Sequence, residues 1–477
     1  MMEFYMGIDL GTTHLKAGIF SKDGVPREIF SVNTPIHRER AGEYYDPAEW
    51  MGLLQTMLDR AEEKYGKVSG IGITGMAEAG IMLDRQSLRP LTGIIPWFDK
   101  RTLSLSERMT EREEQESFFK TGLRNSYKYG IYKYLWSLEN SGISPENTLW
   151  LSACDYIFFC LTGELATDPT FAARTFVYDI RKRQWDREKI QAMGLREENF
   201  PKIIPSGRFA GAMKGTGIPV AICGHDHLCS AFGLLEQEGE LCNSCGTAET
   251  YIGLMDQLPE DVKARDSGLV FGPFVTEGRY FGMANLSSSG QSLEWLRKCV
   301  GGGELTYDRI GEMLDAGMNG PGEILYLPYL SGMGSPLFLP EATGALLGLR
   351  AAHTTADLVK AVIEGVCCQC RWILETGFGK GEAAVIATGG STALCQWMQY
   401  KADILNKKVS VSRIGEGTLF GAAALLLEQN TGKRPVLSER FSREYFPEPV
   451  RAEAYDTFYL KKFLPCMRAW TSFYREV

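Results

Sequence analysis

Met6-Gly7-Ile8-Asp9-Leu10-Gly11-Thr12-Thr13-His14-Leu15-Lys16 opens the chain as a strand, a Gly-Thr corner and a second strand running to Phe20. The phrase returns as Leu241-Cys242-Asn243-Ser244-Cys245-Gly246-Thr247-Ala248, with a strand from Thr250 to Leu254 behind it. A Gly-Thr corner between strands leaves backbone N–H groups and a hydroxyl pointing outward, a seat for phosphate oxygens. Two such seats in two halves predict a phosphate chain gripped between facing lobes.

A chain of 477 residues exceeds one ordinary core, so two domains are expected, 1–236 and 237–477, divided at the polar stretch Glu236 to Glu240. A net charge of −8 without a basic run argues against a nucleic-acid surface. Met1 to Tyr5 lacks the pattern of a secretory leader, and apolar segments such as Gly421 to Leu427 fall far short of the roughly 20 residues a membrane span needs. No membrane partner and a cytoplasmic location are therefore expected. The twelve cysteines, several within apolar runs, read as buried reduced thiols.

Strands are predicted over 4–10, 15–20, 29–34, 68–74 and 80–84, and a helix from Pro47 with Asp46 as cap and Glu49 reaching back. Strands alternating with amphipathic helices indicate an α/β sheet. Residues from about 100 to 199 read as a mostly helical layer over one side of that sheet. A strand over 220–223 is broken by Gly224. In the second half, Thr354 and Asp357 start a long helix that stops at Gly377. Strand 384–387 leads to Thr388-Gly389-Gly390-Ser391, where Ser391 is expected to cap a helix, and Gly415-Glu416-Gly417 opens another.

Several clusters could carry chemistry. Asp9 beside Thr12, Thr13 and Lys16 suits a hydrated Mg²⁺ held against phosphates, or it closes a turn. Gly389-Gly390-Ser391 is either a nucleotide-binding corner or a structural junction. Cys223-Gly224-His225-Asp226-His227-Leu228-Cys229 could bind zinc as an extended strand. If a helix starts near Asp226 the four ligands diverge, and Asp226 is then either a plain cap or a carboxylate kept ionised by the helix dipole to accept a proton. Cys242 and Cys245 form a CxxC, redox-active or simply small residues in a strand. Glu78, Trp97, Asp99 and Arg101 combine acceptors, a forked donor and a ring face, which suits a polyhydroxylated ligand, unless Asp99 and Arg101 are only an ion pair.

Together these segments resemble the FGGY carbohydrate kinases, along nearly the whole chain. Gly7-Ile8-Asp9-Leu10-Gly11-Thr12-Thr13 is similar to that family's first phosphate loop, Gly246-Thr247 to its second and Gly389-Gly390-Ser391 to its adenosine motif. Asp226 matches the catalytic aspartate, and Trp97, Asp99 and Arg101 match the substrate-loop pattern. Gly344, Leu346, Gly348, Leu349, Asp357, Leu358, Ala361, Val362, Ile363 and Glu364 fit the long C-terminal signature. A second signature near Lys133 to Trp136 is partial, departing at Gly130 and Ser137. Met333-Gly334 stand where many relatives carry Glu-Arg. After Met76 the chain has Ala77-Glu78, where xylulose kinases typically begin with His and glycerol kinases have Arg-Glu.

The resemblance implies two actin-like (ribonuclease H-like) ATPase domains facing across a cleft, ATP and Mg²⁺ as cofactors, and phosphorylation of a sugar or polyol hydroxyl. It implies Asp226 as general base and Asp9 at the metal. Gly11, Thr12, Thr13, Lys16, Gly246, Thr247, Gly389, Gly390 and Ser391 would hold ATP. Ala77, Glu78, Trp97, Asp99, Arg101 and Asp226 would hold the substrate. A homodimer is compatible with this. A non-catalytic sugar sensor and an actin-like ATPase of other use are the competing readings of the same fold.

Overall fold

Met6, Ile8 and Leu10 alternate with Tyr5, Gly7 and Asp9, and the chain buries nearly all of them in a strand, β1 (Phe4–Leu10), inside a six-stranded sheet. These positions come from a computed structural model that describes residues 3–474 apart from 261, 301, 303, 304, 380, 382 and 436–438. β2 (His14–Ser21) and β3 (Pro26–Asn33) follow antiparallel, and a small hairpin, β4 (His37–Glu39) and β5 (Gly42–Tyr44), leads to helix α1 (Pro47–Tyr65). Asp46 caps α1 by accepting from the Ala48 and Glu49 N–H groups, and Trp50, Leu54, Met57, Leu58 and Ala61 form its buried stripe. Glu49 does not reach back to the cap as expected; its Oε2 lies 2.7 Å from His37 Nε2.

β6 (Gly70–Gly75) runs parallel to β1. β7 (Gly80–Asp84) leaves the sheet, and beyond helix α2 (Gly130–Ser141) the chain returns as β8 (Thr148–Ser152), which pairs antiparallel with β7. Helix α3 (Pro169–Ala173), strand β9 (Phe209–Ala212) and strand β10 (Pro219–His225) complete the half, with sheet order β9-β10-β6-β1-β2-β3. Gly224 does not break β10. It stays in the strand at φ 101 as a register irregularity, its carbonyl accepting from Thr74 Oγ1 at 2.6 Å. The layer over 100–199 is largely helical but also reaches the second half, where Phe271 N donates to Gly122 O at 2.8 Å.

Helix α4 (Asp226–Leu234) begins with no linker after β10. The polar stretch behind it is closed on Glu240, which accepts from the Glu236 and Gln237 N–H groups and pairs with Arg440 at 2.8 Å. The second half repeats the first. β11 (Leu241–Cys245), β12 (Glu249–Met255), β13 (Val270–Pro273) and β14 (Tyr280–Leu286) precede helices α5 (Gly290–Cys299) and α6 (Thr355–Gly377). Asp357 accepts from Thr354 N and Oγ1 to start α6, as expected. Then come β15 (Val385–Thr388), α7 (Cys395–Leu405), β16 (Val409–Ser412), α8 (Gly417–Thr431) and β17 (Phe441–Tyr445), in sheet order β13-β14-β12-β11-β15-β16-β17. In both sheets three antiparallel strands continue into two parallel ones, β3-β2-β1-β6-β10 and β14-β12-β11-β15-β16. Ser391 caps no helix: Gly390–Ala393 is a single 3₁₀ turn, and α7 starts only at Cys395.

Helices α4 and α8 pack on one another, and the apolar residues of both join Tyr5, Cys242 and Ile386 in one buried cluster drawn from the two sheets. Glycines permit the approach: a Cβ on Gly421 would lie 1.8 Å from Cys229 O, and one on Gly233 would lie 3.0 Å from Gly421 Cα. Gly421→Ala gains about 1 kcal/mol of helix propensity but forces a backbone clash, and overpacking of this kind costs about 1–3 kcal/mol or more. The expected result is net destabilisation, read as a lower urea midpoint. A midpoint equal to or above that of the parent would contradict this packing.

Candidate active site

The first Gly-Thr corner closes through Gly11 N donating to His14 O at 3.1 Å, and a Cβ at Gly11 would sit 2.7 Å from that oxygen. Glycine is therefore required there. Thr13 is exposed, and Thr12 Oγ1 accepts from Trp97 Nε1 at 2.9 Å, which ties the loop carrying Trp97 to the corner. In β1 the corner is preceded by Asp9, opposite Lys16 on one side and Thr74 on the other. Asp9 Oδ1 is buried and has no hydrogen-bond partner. Burial, then the Asp226 carboxylate, push the Asp9 carboxyl well above the usual range against the pull of Lys16. A buried, unbonded carboxylate oxygen in the field of a second carboxylate is a donor set that a divalent cation such as Mg²⁺ fits.

Asp226 is the first residue of α4, where the helix dipole favours a negative charge. Its Oδ1 accepts from His227 N at 2.6 Å and lies 3.1 Å from His225 Nε2. Burial would raise its pKa, but the flanking histidines and these bonds hold it at about 2, so the carboxylate is ionised at neutral pH. Thr170 fixes the approach: its Oγ1 accepts from His225 N at 2.9 Å. The zinc reading of this segment fails on the cysteines. Cys223 Sγ is turned to Ala422 O, and Cys229 Sγ to the Cys223 carbonyl at 3.3 Å. What does converge is His225, Asp226 and His227, whose ligand atoms lie within 4.8 Å of one another.

Near this carboxylate, Glu78 faces Arg174 Nη1 at 3.4 Å, and Ala77 is buried beside it. Burial would raise the Glu78 carboxyl, but Arg174, His225, Lys128 and Lys133 bring it below the usual range. Lys128 Nζ stands 5.3 Å from the centre of the Trp97 ring.

The second Gly-Thr corner is joined to the start of α5. Gly290 N donates to Gly246 O at 3.1 Å, and Ser289 N and Gln291 N donate to Thr247 O. A Cβ on Gly290 would touch both Gly246 O and Ser391 Oγ, and one on Gly389, at φ 101, would sit 2.5 Å from Cys245 O. The corner, the α5 N-terminus and Gly389-Gly390-Ser391 thus form one surface, with Thr247, Gly389 and Gly390 exposed. Beneath it lies a fully buried ion pair, Lys401 Nζ to Glu249 Oε2 at 2.7 Å. Glu249 also accepts from Asn243 Nδ2, from Tyr251 OH and, at 2.6 Å, from Ser289 Oγ.

Residues 4–233 match the N-terminal domain of the FGGY family of carbohydrate kinases, and residues 241–427 match its C-terminal domain. The chain belongs to the FGGY family of carbohydrate kinases, which are phosphotransferases. It is 25% identical to a xylulose kinase of Bacillus subtilis, covering 96% of this chain and 95% of that one. It is 29% identical to a glycerol kinase of Thermus brockianus over 88% of this chain and 89% of that one. The fold superposes on a xyloylose kinase from Brucella ovis with TM-score 0.89 at 25% identity, covering 98% and 100% of the two chains. A gluconate kinase from Lactobacillus acidophilus gives TM-score 0.89 at 23% identity and full coverage of both. The fold is therefore the two-domain actin-like (ribonuclease H-like) arrangement of FGGY kinases. No helix among the described residues is long and apolar enough to cross a membrane.

Within this FGGY chain, the expected ligand side chains Asp99, Arg101 and Lys16 are held by the protein's own groups. Asp99 Oδ1 accepts from Arg101 Nε at 2.9 Å and Asp99 Oδ2 from Glu43 N at 2.6 Å, while Arg101 Nη2 donates to Glu43 O at 2.6 Å. This pair braces the β4–β5 hairpin and offers no free fork to a ligand. Lys16 Nζ is held 2.8 Å from both oxygens of Glu416, just ahead of α8. Cys242 and Cys245 are free, buried thiols, and Cys245 Sγ contacts Asn243 Oδ1. Arg174, Lys128, Glu249 and Lys401 escaped sequence reasoning. Lys401 did leave a signal, as a charge beside Trp397, Met398 and Ala402 on a helix face that is otherwise apolar.

Proposed function

We propose that this FGGY kinase transfers the γ-phosphate of ATP to a hydroxyl of a sugar or polyol, with residues 1–236 holding the acceptor and 237–477 the nucleotide. The observation that carries the reading is Asp226, an ionised carboxylate at a helix N-terminus whose charge acts on the unbonded Asp9 beside the first Gly-Thr corner. ATP lies in the cleft with its adenine by Gly389-Gly390-Ser391 and its phosphates on Gly246-Thr247 and Gly11-Thr12-Thr13. Asp9 would hold Mg²⁺, which would supply charge neutralisation on the phosphates.

Glu78 and Trp97 orient the acceptor, and Asp99 and Arg101 act behind them by fixing the Trp97 loop. Asp226 accepts the hydroxyl proton as the oxygen attacks in line. A weak base suffices, because in a loose transition state the proton leaves late, as the new O–P bond forms. The remaining rate enhancement comes from positioning and exclusion of water as the lobes close.

A coupled ADP-release assay against pentuloses, hexuloses, alditols and sugar acids tests the assignment. ADP release should rise well above the acceptor-free rate with at least one of them. Hydrolysis that responds to peptides and never to sugars would favour an actin-like ATPase of another kind, and no release at all a sugar sensor.

A further inference from the structure

Near Asp226 one cationic side chain, among the described residues, has no acid bonded to it. Glu78 is already opposed by Arg174 at 3.4 Å, and Asp226 is flanked by His225 and His227. Lys128 is left over. It is half-buried over the face of Trp97, and among the described residues its ammonium makes no hydrogen bond or ion pair. Arg174 is 6% exposed, yet among the described residues its guanidinium meets, apart from Glu78, only the thioether of Met283 at 3.9 Å and the Tyr129 hydroxyl. Arg101, by contrast, has its donors taken up by Asp99, Glu43 and Glu39. Ala77 brings no charge.

A neutral polyol closing this pocket would strip water from Lys128 and return no acceptor of comparable strength, a penalty that a carboxylate removes. The carbon chain of such a ligand would meanwhile pack on the Trp97 ring.

We infer that the acceptor is a polyhydroxy acid, whose carboxylate is bound by Lys128 over the face of Trp97 with Arg174 adding its unused N–H groups. This rests on the kinase reading above and goes further by naming the substrate's charge. Lys128 is then the residue that separates sugar acids from alditols and ketoses of the same length.

The test compares kcat/KM for aldonates and alditols of four to six carbons in the parent, Lys128→Met and Lys128→Arg. The parent should prefer an aldonate over the matching alditol by about tenfold to a hundredfold, the range of one charge-assisted bond. Lys128→Met should cut that ratio at least tenfold, chiefly through KM for the acid, and Lys128→Arg should largely keep it. Equal or better turnover of neutral polyols, or a Lys128→Met variant with an unchanged ratio, would overturn the acid assignment and leave the kinase reading standing. No ADP release with any of these acceptors or with pentuloses and hexuloses would overturn both.

Discussion

Asp226→Asn lowers turnover by about 10³- to 10⁴-fold, the upper range for loss of a general base, while the protein stays folded. The substitution keeps an oxygen that can accept from His227 N and His225 Nε2, so the start of α4 retains its hydrogen bonds. What disappears is the negative charge proposed to receive the proton. The same change removes the like charge acting on Asp9, so the Asp9 carboxyl should move down toward the ordinary range. Steady-state ADP release checks the first effect, and calorimetric binding of the acceptor shows that the pocket persists. Because the Asp226 pKa lies at about 2, its ionisation is complete well below neutral pH. It should therefore contribute no acid limb to kcat/KM between pH 5 and 8. Turnover within tenfold of the parent would remove Asp226 from the base role.

The second large effect is on stability. Lys401→Met leaves Glu249 with no counter-charge at a site where both side chains are fully buried. Breaking a buried pair from one side costs about 3–5 kcal/mol, because the remaining charge is stranded. Glu249 is also bonded to Ser289, Asn243 and Tyr251, so the strain falls where β11, β12 and the start of α5 meet beneath the second Gly-Thr corner. The double variant Glu249→Gln, Lys401→Met should recover much of the loss, and the double-mutant cycle isolates the pair. Burial works to raise the Glu249 carboxyl, but Lys401 and the hydrogen bonds hold it below its ordinary value. Its stabilising contribution is thus present above the ordinary carboxylate pKa and is lost as pH falls through the lowered one. Urea unfolding at neutral and acidic pH reads both effects. A Lys401→Met variant within 1 kcal/mol of the parent would mean that the pair contributes little.

Local signals in the sequence were enough for elements whose causes are local. β1 and β7 fall where alternation placed them, Asp46 and Pro47 start α1, and Thr354 with Asp357 start α6. Both copies of the strand–corner–strand phrase form the expected pair of strands, β1 with β2 and β11 with β12. What depended on tertiary partners was not legible. Gly224 reads as a breaker, yet Thr74 and Thr170 hold it inside β10. Asp99 and Arg101 carry the right chemistry for a ligand, but Glu43, far off in sequence, supplies their partners. Helix α8 looks like one more helix of the second half, yet it lies against the first sheet as well, where a Cβ on Gly7 of β1 would sit 2.8 Å from Leu419 O. The charge left on Lys128 is invisible in sequence, because it depends on which acids nearby are already paired.

The proposed phosphoryl transfer is tested most directly by following the γ-phosphate itself. In a ³¹P NMR time course with ATP, Mg²⁺ and an accepted polyol or sugar acid, the γ-phosphate signal should decline. A phosphate monoester of the acceptor should grow in its place, one for each ADP formed. Release of the γ-phosphate as orthophosphate, with the acceptor unmodified, would contradict the account.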